Sequence, residues 1–195
     1  LAILAAEDNG FYEHSGIEFM GIARAALSNL LTGSRGQGGS TITMQVARNF
    51  FLTSERSYVR KLYEVALAFK IEQNLTKDEI FEAYANQIFL GHRSYGFGSA
   101  AQTYFGKDLK DLSISEAAVL AGLPVAPSAY NPIVNMRRAT MRRNYVLGRM
   151  HTLGYIDDIT YSAAIAQPIE LKKTTAEERR TQLQTEDMQA GYVAE

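Results

Sequence analysis

The chain has 195 residues, 46% hydrophobic and 21% charged, which is enough apolar matter for one globular core and excludes disordered, collagen-like and low-complexity readings. Twenty Lys and Arg against 21 Asp and Glu leave a formal net charge of −1, so no global positive field argues for a nucleic-acid partner and any cationic site has to be local. With no Cys there is no disulfide framework, thiolate zinc site or thiol nucleophile, and no apolar run reaches the roughly 18 residues that would span a bilayer.

The opening Leu1-Ala2-Ile3-Leu4-Ala5-Ala6-Glu7-Asp8 has neither an initiator Met nor a basic stretch and reads as the interior of a longer chain. Phe19, Ile22, Ala23, Ala26, Leu27, Leu30 and Leu31 recur at helical spacing and predict a helix stopped by Thr32-Gly33. Residues 34–40, rich in Gly and Ser, predict a mobile loop feeding a helix that starts near Ser40 or Thr41 and runs through Met44, Ala47, Phe50 and Phe51. A further helix is predicted over 56–73, with Val59, Leu62, Tyr63, Ala66, Leu67 and Phe69 facing inward. Thr76 with Glu79 and Ser113 with Glu116 form capping boxes that start two more. Pro124, Pro127 and Pro132 punctuate a loop. A helix over about 135–152 follows, then a short one after Asp157-Asp158, and from Lys172 the chain turns polar and reads as an exposed strand or linker to another domain. Alternating strand patterns are scarce, so the fold class is mainly α.

With three His and no Cys, carboxylates and cations have to carry the chemistry. Glu7 and Asp8 close an apolar segment, and apolar neighbours desolvate a carboxylate and raise its pKa toward the range of a general base. An acidic helix end in water is the other reading, and the segment alone leaves both open. Arg56 and Arg60, and Arg60 and Glu64, stand four apart, so with Arg48 and Lys61 they make a cationic row beside a carboxylate. Such a row neutralises a phosphate or pyrophosphate; it is equally a surface ion-pair ladder worth about 0.3–0.5 kcal/mol per pair.

Gly38-Gly39-Ser40-Thr41-Ile42-Thr43-Met44-Gln45 leads glycines into a helix start, where unpaired amides and the Ser40 and Thr41 hydroxyls can face an anion. No Lys stands at the Walker spacing, which removes the usual support for nucleotide hydrolysis. Gly96-Phe97-Gly98-Ser99-Ala100-Ala101 matches a relaxed dinucleotide fingerprint without alternating strands and helices around it, and reads as a turn opening a helix. Arg137, Arg138, Arg142, Arg143 and Arg149, with no acid between residues 134 and 153, predict a solvated, mildly basic face. His14, His92 and His151 share no ligand spacing, so no metal site is predicted.

Five blocks in order resemble the family 51 peptidoglycan glycosyltransferases, the glycosyltransferase domain of class A penicillin-binding proteins. They are Glu7-Asp8 with Phe11 and His14-Ser15-Gly16; Gly39-Ser40-Thr41-Ile42-Thr43 with Gln45; Arg60-Lys61 with Glu64; Glu82, Tyr84 and Asn86 through Tyr95-Gly96, Ala100-Ala101 and Tyr104-Phe105-Gly106-Lys107; and Glu116-Ala117-Ala118 to Pro124 with Tyr130-Asn131-Pro132. The likeness covers residues 1–171. Gly191-Tyr192-Val193-Ala194-Glu195 also resembles the entry to a transpeptidase region, as in bifunctional members of the 1a type.

The resemblance implies a lysozyme-like helical head with a smaller membrane-associated jaw over about residues 17–60, preceded by a missing anchor, and a linker or the start of a transpeptidase region over 172–195. It implies polymerisation of lipid II and growing glycan-lipid substrates into β-1,4 strands, with release of undecaprenyl pyrophosphate, on the outer face of the bacterial inner membrane. Glu7 carries over as the base and Glu64 as the second essential carboxylate, while Arg48, Arg56, Arg60 and Lys61 neutralise the pyrophosphate. Asp8, Phe11, His14, Ser40, Thr41, Gln45 and Asn49 carry over as residues that shape or bind in the cleft. No cofactor is required, and whether a divalent cation, Mg or Mn, assists is left open by the sequence; the implied partners are the membrane surface and a transpeptidase domain of the same chain. A lysozyme-like muramidase or lytic transglycosylase is the rival enzyme, although its alcohol leaving group needs a general acid rather than a cationic row. A noncatalytic lipid-carrier scaffold is the rival of another class, and it would be expected to lack Glu7 or Glu64. No Ser is followed three residues later by Lys, so penicillin acylation is not expected in these residues.

Overall fold

Short polar side chains set where five of the described helices begin. The computed structural model describes residues 1–18, 21, 39–52 and 58–173. Its helices are α1 (Ala2–Glu7), α2 (Ile42–Phe51), α3 (Tyr58–Asn74), α4 (Lys77–Gln87), α5 (Phe97–Phe105), a 3₁₀ turn (Leu109–Asp111), α6 (Ile114–Ala121), α7 (Met136–Thr152) and α8 (Asp158–Ala166). Among the described residues the only β pairing is an isolated antiparallel bridge between Phe89 and Tyr95. Thr41, Thr76, Ser113, Asn135 and Asp157 each accept a hydrogen bond from the third amide of the helix they precede, an arrangement worth about 1 kcal/mol per cap. Both expected capping boxes are complete. Gly96 opens α5 at φ 78°, where an added Cβ would lie 2.5 Å from the Asn86 carbonyl oxygen, so the turn read from Gly96-Phe97-Gly98 requires glycine.

Two apolar clusters organise the head. The larger gathers Phe11, Ile42, Ile80, Tyr84, Leu90, Phe97, Tyr104 and Leu120 from the loop after α1 and from α2, α4, α5 and α6. The smaller joins Ala5, Ala118, Ala121, Val146, Leu147 and Met150 from α1, α6 and α7, with Ala164 of α8. Helix α1 lies between them, giving Leu4 to the first cluster and Ala5 to the second. Six residues are too few for a stable isolated helix, so this double packing holds α1 and fixes Glu7 at its end. The chain after α8 packs back on the head: Ile169 and Leu171 lie against the larger cluster, and the Lys172 amide donates to the Tyr104 carbonyl at 2.8 Å.

Two sequence expectations are corrected here. In α3, Val59, Leu62, Tyr63, Ala66 and Phe69 are exposed, Leu62 at 70%, and of the expected inward set only Leu67 packs on the core. The buried face is instead Glu64, Ala68 and Ile71. The helix has apolar residues on both sides, and small Ala68 lets α3 close on Met44 and Ile17, so periodicity alone could not choose the face. The arginines of α7 do not form one solvated face either. Arg143 is 3% exposed; it donates to the Ile165 carbonyl at 2.9 Å, to Ser115 Oγ at 3.1 Å and to the Gln167 carbonyl, satisfying carbonyls at the end of α8 that have no helical partner. Apart from Gly21, the helix expected over 19–31 lies outside the described residues, as do the loop before Gly39 and the tail from 174.

Candidate active site

Helix α1 ends on Glu7, and the next residue turns back into the fold. Asp8 is 5% exposed. Its carboxylate receives the His14 Nε2–H, at 2.9 Å to Oδ1 and 3.0 Å to Oδ2, and the Ile42 amide at 3.0 Å. The Gly16 amide donates to His14 Nδ1 at 3.2 Å, which leaves the Nε2 proton directed at Asp8. Thr41 Oγ1 donates to the Gly16 carbonyl at 2.6 Å and accepts from the Met44 amide. The amide start of α2, expected to face a substrate anion, is therefore met by the protein's own Asp8, a carboxylate favourably placed at a helix N-terminus.

Glu7 faces a cavity of about 240 Å³, shared with Gln45 and Arg48 of α2 and with Arg142, Tyr145 and Arg149 of α7. Gln45 Nε2 donates to Glu7 Oε2 at 3.0 Å. Oε1 accepts no hydrogen bond among the described residues and lies 3.7 Å from Arg142 Nη2. Burial pushes the Glu7 carboxyl above the usual carboxylate range, and the Gln45 hydrogen bond and the charges of Arg142 and Arg48 pull part of the way back. A desolvated carboxylate with one tethered oxygen and one unbonded oxygen is a proton acceptor of raised basicity. Of the two readings open from sequence, the solvated helix end is overturned.

Arg142 is the residue beside Glu7 that the sequence reading did not place in this cavity. Its guanidinium lies 4.6 Å from the Tyr145 ring centroid and 5.8 Å from that of Tyr130, and its Nε donates to the Gly122 carbonyl at 3.4 Å. Nothing in the run of α7 arginines marks it; only the docking of α7 on α1 brings it to Glu7. Arg149 beside it donates to the Asn9 side chain at 3.3 Å. Tyr84 lies beneath, 1% exposed, with no hydrogen-bond partner for its hydroxyl among the described residues, and burial and then the Glu7 charge push that hydroxyl well above its usual range.

The second carboxylate forms a separate group. Glu64 is 1% exposed and pairs with Lys61 at 2.7 Å and Arg60 at 3.6 Å, and Lys61 Nζ also donates to Ser40 Oγ at 2.8 Å. The surface-ladder reading therefore fails for Glu64. Ser40 lines the Glu7 cavity, so the Glu64–Lys61 pair reaches the rim of that cavity through the Ser40 hydroxyl. Arg48 and exposed Asn49 line a neighbouring cavity of about 390 Å³ with Phe89 and Tyr95. Phe11 is fully buried against Phe81, and with His14 it frames the wall behind the cavity rather than its surface. Arg56 lies outside the described residues. Among those described, no three His, Asp or Glu side chains cluster closely enough to hold a metal ion.

The profile of the transglycosylase family matches residues 1–151. The chain belongs to this family. It is 51% identical to penicillin-binding protein 1A of Pseudomonas aeruginosa over 194 residues, covering 100% of this chain and 23% of that protein. It is 50% identical to penicillin-binding protein 1A of Neisseria flavescens, again over 100% of this chain and 23% of the relative. The crystal structure of penicillin-binding protein 1A from Haemophilus influenzae aligns with 74% of this chain and 19% of its own, at 37% identity and a TM-score of 0.48. The chain thus spans about a quarter of the length of the curated relatives named here, 23% in each case. The match supports the peptidoglycan glycosyltransferase reading of the five motif blocks. The muramidase and scaffold readings are not favoured.

Proposed function

We propose that this domain joins lipid-linked disaccharides into a β-1,4 glycan, with Glu7 as the base. The observation that carries the reading is one cavity holding a desolvated carboxylate and three arginines, Arg48, Arg142 and Arg149. Glu7 takes the proton from the 4-hydroxyl of the acceptor N-acetylglucosamine as that oxygen forms a bond to the donor's anomeric carbon. The bond from that carbon to the pyrophosphate breaks, its electron pair leaves with the pyrophosphate, and attack from the opposite face inverts the α-linkage to β. A pyrophosphate leaves as a stable anion that needs neutralising rather than protonating, which suits Arg48, lining both cavities, and Lys61, bonded to Ser40 on the wall of the Glu7 cavity. Glu64 holds Lys61 and Arg60 in place. The reading requires no cofactor, and a magnesium or manganese ion accompanying the pyrophosphate is compatible with it. Incubation of the full-length protein with labelled lipid II should yield glycan strands and undecaprenyl pyrophosphate; cleavage of preformed peptidoglycan with lipid II left intact would overturn the reading.

In this mechanism Arg142 keeps Glu7 ionised. Arg142→Gln removes a charge that lowers the Glu7 pKa, so the acid limb of the pH–activity profile should move to higher pH, with activity recovering as the pH is raised. An unmoved limb would assign Arg142 to packing alone.

The substrate's lipid places the domain at the membrane surface. Phe50, Phe51, Val59, Leu62 and Tyr63 are all exposed, Phe51 at 63%, Phe50 lines the cavity that Arg48 shares, and such exposed large apolar side chains support docking on a bilayer. Among the described residues no helix is long and apolar enough to cross a membrane. Phe51→Glu with Leu62→Glu should reduce turnover of lipid II in vesicles at least about tenfold while sparing turnover in detergent, since burying one large apolar side chain is worth about 1.5–3 kcal/mol. Equal losses in both media would refute the membrane contact. A transpeptidase domain in the same chain is part of this proposal, supported by the likeness to the penicillin-binding protein 1A relatives.

A further inference from the structure

Behind the Glu7 cavity, the turn that carries Asp8 and His14 is strapped to the corner between α3 and α4 by two charged side chains that take no part in the mechanism above. Lys77, the first residue of α4, donates from Nζ to the His14 carbonyl at 2.6 Å and to Glu72 Oε1 at 2.7 Å, and its ammonium lies 4.5 Å from the Phe11 ring centroid. Glu72 Oε1 also accepts from Thr43 Oγ1 of α2 at 2.5 Å. The Glu72 and Lys77 side chains are 10% and 20% exposed. Gly16, at φ +89°, passes so close that an added Cβ would meet Glu72 Cγ at 3.0 Å and the Ala68 carbonyl oxygen at 3.2 Å.

The contacts form one path. Glu72 holds α2 through Thr43 and holds Lys77 through the ion pair; Lys77 holds the His14 carbonyl; the His14 ring holds Asp8; and Asp8 holds the first amide of α2 and adjoins Glu7. We infer that Glu72 and Lys77 are positioning residues for glycosyl transfer, fixing the 8–17 turn against α2 and so setting how Glu7 meets Gln45 and the acceptor hydroxyl. The inference rests on the transferase reading. A mostly buried ion pair is a poor source of net stability, because desolvating both charges offsets their attraction. Its particular contribution is direction, since charge-assisted bonds from one ammonium to a carbonyl and a carboxylate permit few placements of the turn. Displacement of a reacting group by about 1 Å lowers a rate by about 100-fold even when the altered residue is remote.

The test is steady-state kinetics of the full-length protein on lipid II, with kcat expressed per folded molecule and melting measured in parallel. Lys77→Met should lower kcat at least about tenfold with KM within about twofold, and Lys77→Arg, which keeps a cation able to reach both oxygens, should restore at least half of the lost activity. A purely structural pair would lower the melting temperature and the folded fraction but leave kcat per folded molecule unchanged. The inference is overturned if Lys77→Met stays within about twofold of wild type in kcat, if KM rises instead, or if the Arg variant is as impaired as the Met variant. Should Lys77→Met fail to fold, Glu72→Gln, which keeps an acceptor for Thr43 and loses the ion pair, is judged by the same kcat and KM limits. Wild-type protein that does not polymerise lipid II would overturn the transferase reading itself.

Discussion

Glu7→Gln should polymerise lipid II about 10²–10⁴ times more slowly than wild type, the usual loss for a removed general base, and should melt at a higher temperature at neutral pH. Both effects follow from one cause. Burial raises the carboxyl pKa in the folded protein, so the fold favours the neutral form. The stability associated with this group is present below the ordinary carboxyl pKa and is lost as the pH rises through the raised folded value. At neutral pH the ionised Glu7 therefore costs stability, and an isosteric amide avoids that cost. The gain in melting temperature should shrink on acidification, because wild-type Glu7 then becomes neutral as well. Wild-type activity should fall over the same range, since a protonated carboxyl cannot accept the acceptor's proton. Thermal melts of both proteins across pH, beside lipid II turnover, check each part. A variant that melts below wild type at neutral pH, or retains near wild-type turnover, would remove Glu7 from the role of desolvated base.

Arg48→Gln should lower kcat by about 10²–10³-fold, comparable to the loss of one preorganised donor at a developing anion. Arg48 lines both cavities near the end of α2 and is only half-buried, so its removal should leave the melting temperature nearly unchanged. Its charge also lowers the Glu7 pKa. The comparison therefore belongs on the alkaline plateau of the profile, where Glu7 is ionised in both proteins and only the leaving-group effect remains. Arg48→Lys should recover part of the rate, because a lysine restores the charge but not the two-pronged contact with phosphate oxygens. A plateau kcat within about threefold of wild type would place neutralisation of the pyrophosphate elsewhere, with Lys61 next to be tested.

Local chemistry was legible in the chain itself. Thr76 with Glu79 and Ser113 with Glu116 marked helix starts because a capping box is complete within four residues, and Gly96 marked a turn because only a residue without Cβ fits beside Asn86. The mainly helical class came from apolar spacing and the scarcity of strand alternation, and the family and the roles of the carboxylates at 7 and 64 came from motif blocks whose order and spacing are properties of the sequence. Which face of a helix goes inward was not legible where both faces are apolar. In α3 the expected stripe lies outside and Glu64 inside, because small Ala68 rather than large Leu62 allows α2 to approach. The environment of Glu7 was also undecided, since the same eight residues serve a solvated helix end or a buried carboxylate. Tertiary packing chose the latter by inserting α1 between two apolar clusters and closing α7 over it, which brought Arg142 within 3.7 Å of a carboxylate 135 positions earlier in the chain. Sequence periodicity records contacts within one element; the charge that tunes Glu7 comes from another element, and only the fold could supply it.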